Sequence, residues 1–287
     1  MPDNPIRFGP EEAKYCSYES CRVAVLPIPY EGTVSYGGGA SKGPDAILNA
    51  SLQLEAYDEE LKRETSEIGI HTLPAVRPSK TPSDMMRATH EAALKPAKDN
   101  KFIVGLGGEH SVTKGVLTAL VEVRGKDFGV LQLDAHADLR DSYDGTPDSH
   151  ACIMRRVDDL GLQYSQVGIR SLSKEEADFV EEKGRKIHFA HEMRGGSAWM
   201  DEAIDGLPEN IYITIDIDCF DPSIMPSTGT PEPGGLDWYT VTSFLRKVCK
   251  NKKVIGFDVV EFAPIEGMNA PDFLAAKLVS RLLGYIY

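Results

Sequence analysis

The stretch Phe128-Gly129-Val130-Leu131-Gln132-Leu133 is short and almost wholly apolar, and it passes without a break into Asp134-Ala135-His136-Ala137-Asp138. An apolar run of this length reads as a strand buried on both faces. In extended backbone, side chains two apart point the same way. A strand geometry that persisted would therefore aim Asp134, His136 and Asp138 at one point. The device recurs: Ile211 to Ile215 runs into Asp216, Ile217 and Asp218, and Phe102 to Leu106 runs into Gly107, Gly108, Glu109 and His110.

Outward from these three, the same kind of run predicts strands at Arg22 to Ile28, Tyr164 to Ile169, Lys186 to Phe189 and Val254 to Val259. Helical periodicity covers Gly43 to Ala56, Pro82 to Ala97, Ser111 to Val123, Lys174 to Lys183, Asp237 to Cys249 and Pro271 to Tyr285. Pro44, Pro82 and Pro271 lie where first-turn prolines are tolerated. Strands alternating with helices define an α/β chain with a mostly parallel sheet covered by helices. No repeat or linker divides the sequence, so residues 1–287 read as one domain. Two Gly/Pro-rich loops interrupt the rhythm, Tyr30 to Pro44 and Pro222 to Gly235. Each follows directly on a predicted strand, and in open α/β sheets ligands sit beyond the carboxyl ends of the strands.

Composition narrows the function. The chain has 287 residues and a formal net charge of −13, which argues against a nucleic-acid surface and suits a cationic ligand. Five cysteines (Cys16, Cys21, Cys152, Cys219, Cys249) form neither an even disulfide set nor a close C-x-x-C pair, which points to the reducing cytosol. The stretch Met1 to Tyr18 is polar and acidic where a secretory leader would be basic and then apolar. No apolar run approaches the roughly 18 residues needed to span a bilayer. A cytoplasmic protein, with no membrane partner, is expected.

Alone, a strand-end aspartate caps a helix or makes a turn, and a single histidine such as His110 caps or packs. Four aspartates and two histidines delivered to one sheet edge are a different matter. Close carboxylates cannot all remain ionised unaided, and two divalent ions would balance four of them. Carboxylate with some imidazole and no thiolate suits Mn²⁺, with iron or zinc as alternatives. Cys219 should point to the opposite face if the strand continues, and reads as packing.

These residues carry a resemblance. GGEHS at Gly107 to Ser111, DAHAD at Asp134 to Asp138 and DIDCFDP at Asp216 to Pro222 resemble the ureohydrolase family of arginases and agmatinases. So do GTVSYGGGASKGP at Gly32 to Pro44, TGTPEPGG at Thr228 to Gly235 and DVVEFAP at Asp258 to Pro264. The resemblance implies an arginase-like three-layer α/β/α sandwich and a homotrimer or homohexamer. It also implies two manganese ions per subunit. Asp134 and Asp216 would bridge them, His110 and Asp138 would complete one site, and His136 and Asp218 the other. Hydroxide between the ions would attack the guanidinium carbon and release urea. That route answers a chemical need, since guanidinium is a poor electrophile and neutral water a poor nucleophile. The departing amine needs a proton. The resemblance assigns its delivery to Asp138, further shuttling to His150, and pairing with the guanidinium to Glu261. A carboxylate fork matches a planar guanidinium.

Asp141 to His150 reads DSYDGTPDSH, where arginases carry a Ser-Gly-Asn type loop. This resembles the agmatinase branch, and agmatine, giving putrescine and urea, is the expected substrate. Asp144, Asp148 or Glu232 would receive its far ammonium. Arginine, guanidinobutyrate and guanidinopropionate are the alternatives, as is a non-catalytic regulatory relative. Ala151 and Ser227 replace glycines common in the family and lie beside the expected pocket.

Overall fold

The apolar runs become strands lying side by side. A computed structural model gives the fold over residues 6–13 and 16–287. The reading of the N-terminal stretch as no leader therefore lies partly outside the described residues. In chain order the strands are β1 (Val23–Ile28), β2 (Tyr57–Asp58), β3 (Arg63–Glu64), β4 (Ile70–Thr72), β5 (Phe102–Gly107), β6 (Gly129–Leu133), β7 (Gln163–Ile169), β8 (Ile187–Phe189), β9 (Asn210–Asp216) and β10 (Lys253–Val260). Eight of them form one sheet in the order β4-β1-β5-β10-β9-β6-β7-β8. Every pairing in that sheet is parallel. The remaining two, β2 and β3, form a small antiparallel ladder.

The helices are α1 (Gly43–Ser51), α2 (Pro82–Lys98), α3 (Thr113–Arg124), α4 (Ile153–Asp159), α5 (Lys174–Lys183), α6 (Ala198–Asp205), α7 (Trp238–Asn251) and α8 (Asn269–Ile286). They cover the sheet on both faces, because alternate strand residues feed two separate cores. Val104, Leu133, Ile213 and Ile215 pack with Ile47 of α1, Phe244 of α7 and Leu278 of α8. Ile103, Val130 and Tyr212 face the other way, against Met85 of α2, Val116 of α3, Ile153 of α4 and Phe179 of α5. Each fully buried aliphatic side chain contributes roughly 1.5–3 kcal/mol, so the period-two alternation is what fixes the three layers. No helix among the described residues is long and apolar enough to cross a membrane.

The helix starts are chemically marked. Thr81 accepts from Asp84 N ahead of Pro82, Asp237 accepts from Tyr239 N and Thr240 N, and Ser173 with Glu176 forms a complete capping box. The structure departs from the sequence reading at short elements. The helix expected from Gly43 to Ala56 ends at Ser51, and the one expected from Ser111 begins at Thr113 after a 3-10 turn. Strand β4, the β2–β3 ladder and helices α4 and α6 were not anticipated. The strands among these are only two or three residues long, and α4 and α6 only seven and eight. Segments that short do not establish a period.

Candidate active site

Across the four central strands, Leu106, Val259, Ile215 and Leu133 stand in register. One step further come Asp216, paired with Val260, and Asp134, just past the end of β6. Neighbouring strands lie about 4.8 Å apart, so register alone brings these two carboxylates together.

Beyond that row the extended backbone expected through Asp138 and Asp218 does not continue. Ile217–Cys219 is a 3-10 turn, and Asp138 adopts φ +53°. The cause is local bonding. Asp216 Oδ1 accepts from Asp218 N at 2.9 Å and Asp134 Oδ1 accepts from His136 N at 2.6 Å. Each aspartate thus takes a backbone N–H two residues on, in competition with the sheet ladder. Asp218 Oδ1 in turn accepts from Ala135 N at 3.0 Å, which ties the two turns together. Cys219 is fully buried and packs in the core, as expected, although the alternation invoked for it does not hold.

The outcome is one cluster. His110 Nδ1 lies 3.1 Å from Asp134 Oδ2, 3.1 Å from Asp138 Oδ2 and 3.6 Å from Asp216 Oδ2. His136 Nδ1 lies 3.0 Å from Asp218 Oδ2 and 3.6 Å from Asp134 Oδ1. Donor atoms of His110, Asp134 and Asp216 fall within 4.8 Å of one another, as do those of Asp134, His136 and Asp218. Asp134 belongs to both sets. The His110 ring is oriented from behind, with Nε2 2.8 Å from Thr214 Oγ1, while its Nδ1 is buried and without a hydrogen-bond partner. Gln132 Nε2 donates to Asp134 Oδ2 at 2.7 Å. A buried, orphaned ring nitrogen facing three carboxylates fits a hard or borderline cation held by oxygen and imidazole.

Without a cation the charges distort one another. Burial pushes the His136 imidazole down, but Asp218 and Asp134 outweigh it and lift it to about 12. His110 behaves in the same way, lifted well above its ordinary value by Asp134, Asp138 and Asp216. Burial, then the Asp134 charge, raises Asp138 to about 7. Burial with Asp218 and Asp134 raises Asp216 well above its ordinary value.

The remaining predicted residues also converge here. Glu261, at φ +61° just past β10, accepts from His110 N at 2.6 Å, and burial raises it to about 8. His150 Nδ1 lies 3.2 Å from Thr33 Oγ1 and 3.3 Å from Ser149 Oγ, and burial lowers its imidazole to about 4. His136, Asp138, His150, Asp216 and Glu261 all line one cavity of about 230 Å³. Both Gly/Pro-rich loops contribute to its wall, through Val34 to Gly37 and through Gly229 and Thr230. They meet at Gly37 and Gly229, where a Cβ on either would come within 2.8 Å of the other's carbonyl oxygen, so only glycine fits.

The far-end candidates fare differently. Asp148 is paired with Lys114, Asp144 is exposed on the Tyr143–Thr146 turn, and neither lines the cavity. Glu232 lies 3.9 Å from His136 Nε2, outside the cavity wall. A further carboxylate in that wall is Glu176, which the sequence reading did not single out and which also completes a capping box. Ala151 lines the cavity and Ser227 is buried away from it.

Supporting residues were missed as well. Buried Glu109 accepts from Gly32 N, Thr33 N and Thr33 Oγ1 at 2.6–2.8 Å and so fixes the first loop. Arg170 donates to the carbonyls of Gly168, Asp218, Phe220 and Glu232, clamping the second loop onto the Asp216 turn. A lone cation following a strand in so acidic a chain was the available signal for Arg170.

Fold and site now stand beside known proteins. The arginase family profile matches residues 21–284. The N(1)-aminopropylagmatine ureohydrolase of Synechocystis sp. is 43% identical over 288 residues, covering 98% of this chain and 94% of its own. An agmatinase of Pyrococcus horikoshii is 35% identical, covering 91% and 90%. The agmatine ureohydrolase of Thermoplasma volcanium superposes with a TM-score of 0.87 at 31% identity, covering 99% of this chain and 94% of its own. An all-parallel sheet of this order with this cluster at its carboxyl edge defines a hydrolase of the ureohydrolase class. The chain belongs to the arginase family.

Proposed function

We propose that this protein releases urea from an agmatine-type guanidine at a two-manganese centre, with N(1)-aminopropylagmatine as the preferred substrate and agmatine as the second. The observation that carries the reading is the double donor set sharing Asp134, opening into a cavity that also contains Glu261 and His150. Asp134 and Asp216 would be shared between the ions, with His110 and Asp138 on one and His136 and Asp218 on the other. When bound, the ions supply hydroxide at neutral pH by acidifying water.

The chain's own groups do the rest. Glu261 is held by the His110 N–H and presents a carboxylate to the planar guanidinium. Asp138, in the cavity wall, is placed to give the departing nitrogen its proton, without which an amine leaves poorly. His150 keeps Nδ1 on the hydroxyls of Thr33 and Ser149, which leaves Nε2 to relay protons between that wall and solvent.

Support for the substrate class comes from the relatives, while Glu176 shapes the cavity wall. Glu176 is 4% exposed, and its oxygens accept from Leu139 N, Ser173 N and Ser173 Oγ at 2.7–2.9 Å. Arg140 Nε also lies 4.0 Å from Glu176 Oε2, so this wall carries a paired charge and the choice among guanidines is supported by the relatives. The Synechocystis relative's name supports the aminopropyl compound, and the Pyrococcus relative's name supports agmatine.

The test is urea release from N(1)-aminopropylagmatine, agmatine, arginine, guanidinobutyrate and guanidinopropionate with Mn²⁺, beside a chelated control. Metal-dependent turnover favouring the first two is expected. Preference for arginine would overturn the substrate assignment. No urea from any of them at stoichiometric manganese would overturn the reaction and favour a non-catalytic relative.

A further inference from the structure

We propose that Tyr36 reads the far end of the substrate, holding an alkylammonium tail against its open ring face and so favouring guanidines that carry a second amine. The inference rests on the guanidine-hydrolysis reading above. Tyr36 lines the same cavity as His136, Asp138 and Glu261, yet the residue is 86% exposed, so it stands at the rim and not in the floor.

The loop that carries it is fixed on both sides. Glu109 holds Gly32 and Thr33, Gly37 N donates to Gly229 O at 3.2 Å, and Glu31 holds Gly39 N at 2.8 Å and Ser41 N at 3.1 Å. Between those anchors Val34, Ser35 and Tyr36 all line the cavity. The ring is therefore presented by a pinned backbone, so binding costs the rotamer freedom of one side chain and little backbone entropy.

The cavity's other aromatic residue, Tyr143, is already engaged: the Arg140 guanidinium lies 5.1 Å over its ring and His150 meets it edge-on at 5.8 Å. Arg140 also lines the cavity and repels a cationic chain on that side. Tyr36 has no ring or cation partner among the described residues, so its face is open to one. Ammonium over a tyrosine face is attractive by the ring quadrupole. Glu176 in the cavity wall already faces Arg140 at 4.0 Å, so it offers no free charge to a tail ammonium. A substrate extended by an aminopropyl group places its additional ammonium further out, toward the rim.

The test compares kcat and KM for agmatine, N1-aminopropylagmatine and the uncharged-tail analogue N1-butylagmatine in wild type, Tyr36→Phe and Tyr36→Ala, all saturated with Mn²⁺. The ratio of kcat/KM for the aminopropyl compound to that for agmatine should fall about two- to five-fold in Tyr36→Ala, through KM. Tyr36→Phe should retain the ratio, and the butyl analogue should show a smaller loss than the aminopropyl one. An unchanged ratio, or equal losses for charged and uncharged tails, overturns the assignment. A change of oligomeric mass in Tyr36→Ala also overturns it, by giving the ring to a second copy of the chain. No urea from wild type with either amine overturns the underlying function as well, and so differs from failure of Tyr36 alone.

Discussion

The backbone N–H of His110 donates to Oε1 of Glu261 at 2.6 Å, joining the end of β5 to the end of β10. The carboxylate proposed to meet the guanidinium is thereby positioned by the residue that offers an imidazole to the cluster. Glu261 holds φ +61° to do so, a conformation that costs a non-glycine residue about 1–3 kcal/mol. Asp138 carries the same kind of strain at φ +53°. Both positions belong to the proposed chemistry.

Glu261→Gln keeps an oxygen for the His110 N–H and removes the charge. Metal content should be unchanged while kcat/KM for agmatine-type substrates falls by about 10²-fold, the usual cost of truncating one partner of a buried charge pair. Steady-state kinetics beside elemental analysis separates the two effects. A loss of metal with the activity would make Glu261 a structural support only.

Asp134 belongs to both donor sets and His136 to one. Asp134→Asn should therefore abolish both ions, and His136→Ala should leave one per chain. Elemental analysis after gel filtration reads this directly. Equal losses in the two variants would contradict the shared role of Asp134.

The pH dependence of stability should reverse with metal. In the metal-free site Asp138 is raised to about 7, Glu261 to about 8 and His136 to about 12, which outweighs the lowering of Asp134 and of His150, the latter to about 4. A raised group contributes stability below its unfolded value and loses it as pH climbs through the folded value. The native metal-free state thus binds more protons than the unfolded chain between about pH 4 and 8, and its stability falls as pH rises. Metal requires the deprotonated ligands, so the gain in Tm on adding Mn²⁺ should grow from pH 6 to 8. Thermal scans with and without Mn²⁺ check both slopes.

Arg170→Ala leaves four carbonyls without their donor. A loss of about 3 kcal/mol, or about 5–10 °C in Tm, is expected, together with a raised KM from the loosened 228–235 loop. Arg170→Lys should recover only part, because a single ammonium cannot span carbonyls on two turns.

Most of this site was legible in the sequence because its residues sit at the ends of long apolar strands. The run Phe128 to Leu133 needs no tertiary context to be read as buried, and the residue after it is thereby delivered to a sheet edge. Extrapolating the strand through Asp138 failed, since side-chain oxygens of Asp134 and Asp216 captured the next backbone N–H groups and turned the chain. Glu176 and Arg170 were illegible for another reason. The capping box satisfies Glu176 locally, whereas the partners of Arg170 are carbonyls remote in sequence, so only the fold shows that one faces the cavity and the other bridges two loops. The far-end carboxylates Asp144 and Asp148 were chosen by proximity in sequence, which says nothing of Lys114 reaching across to Asp148.

The most direct measurement is an anomalous difference map at the manganese edge from crystals grown with Mn²⁺. Two peaks about 3.5–4 Å apart are predicted, both touching Asp134 and Asp216, one beside His110 and Asp138 and the other beside His136 and Asp218. A single peak, or two peaks that share no carboxylate, would contradict the account.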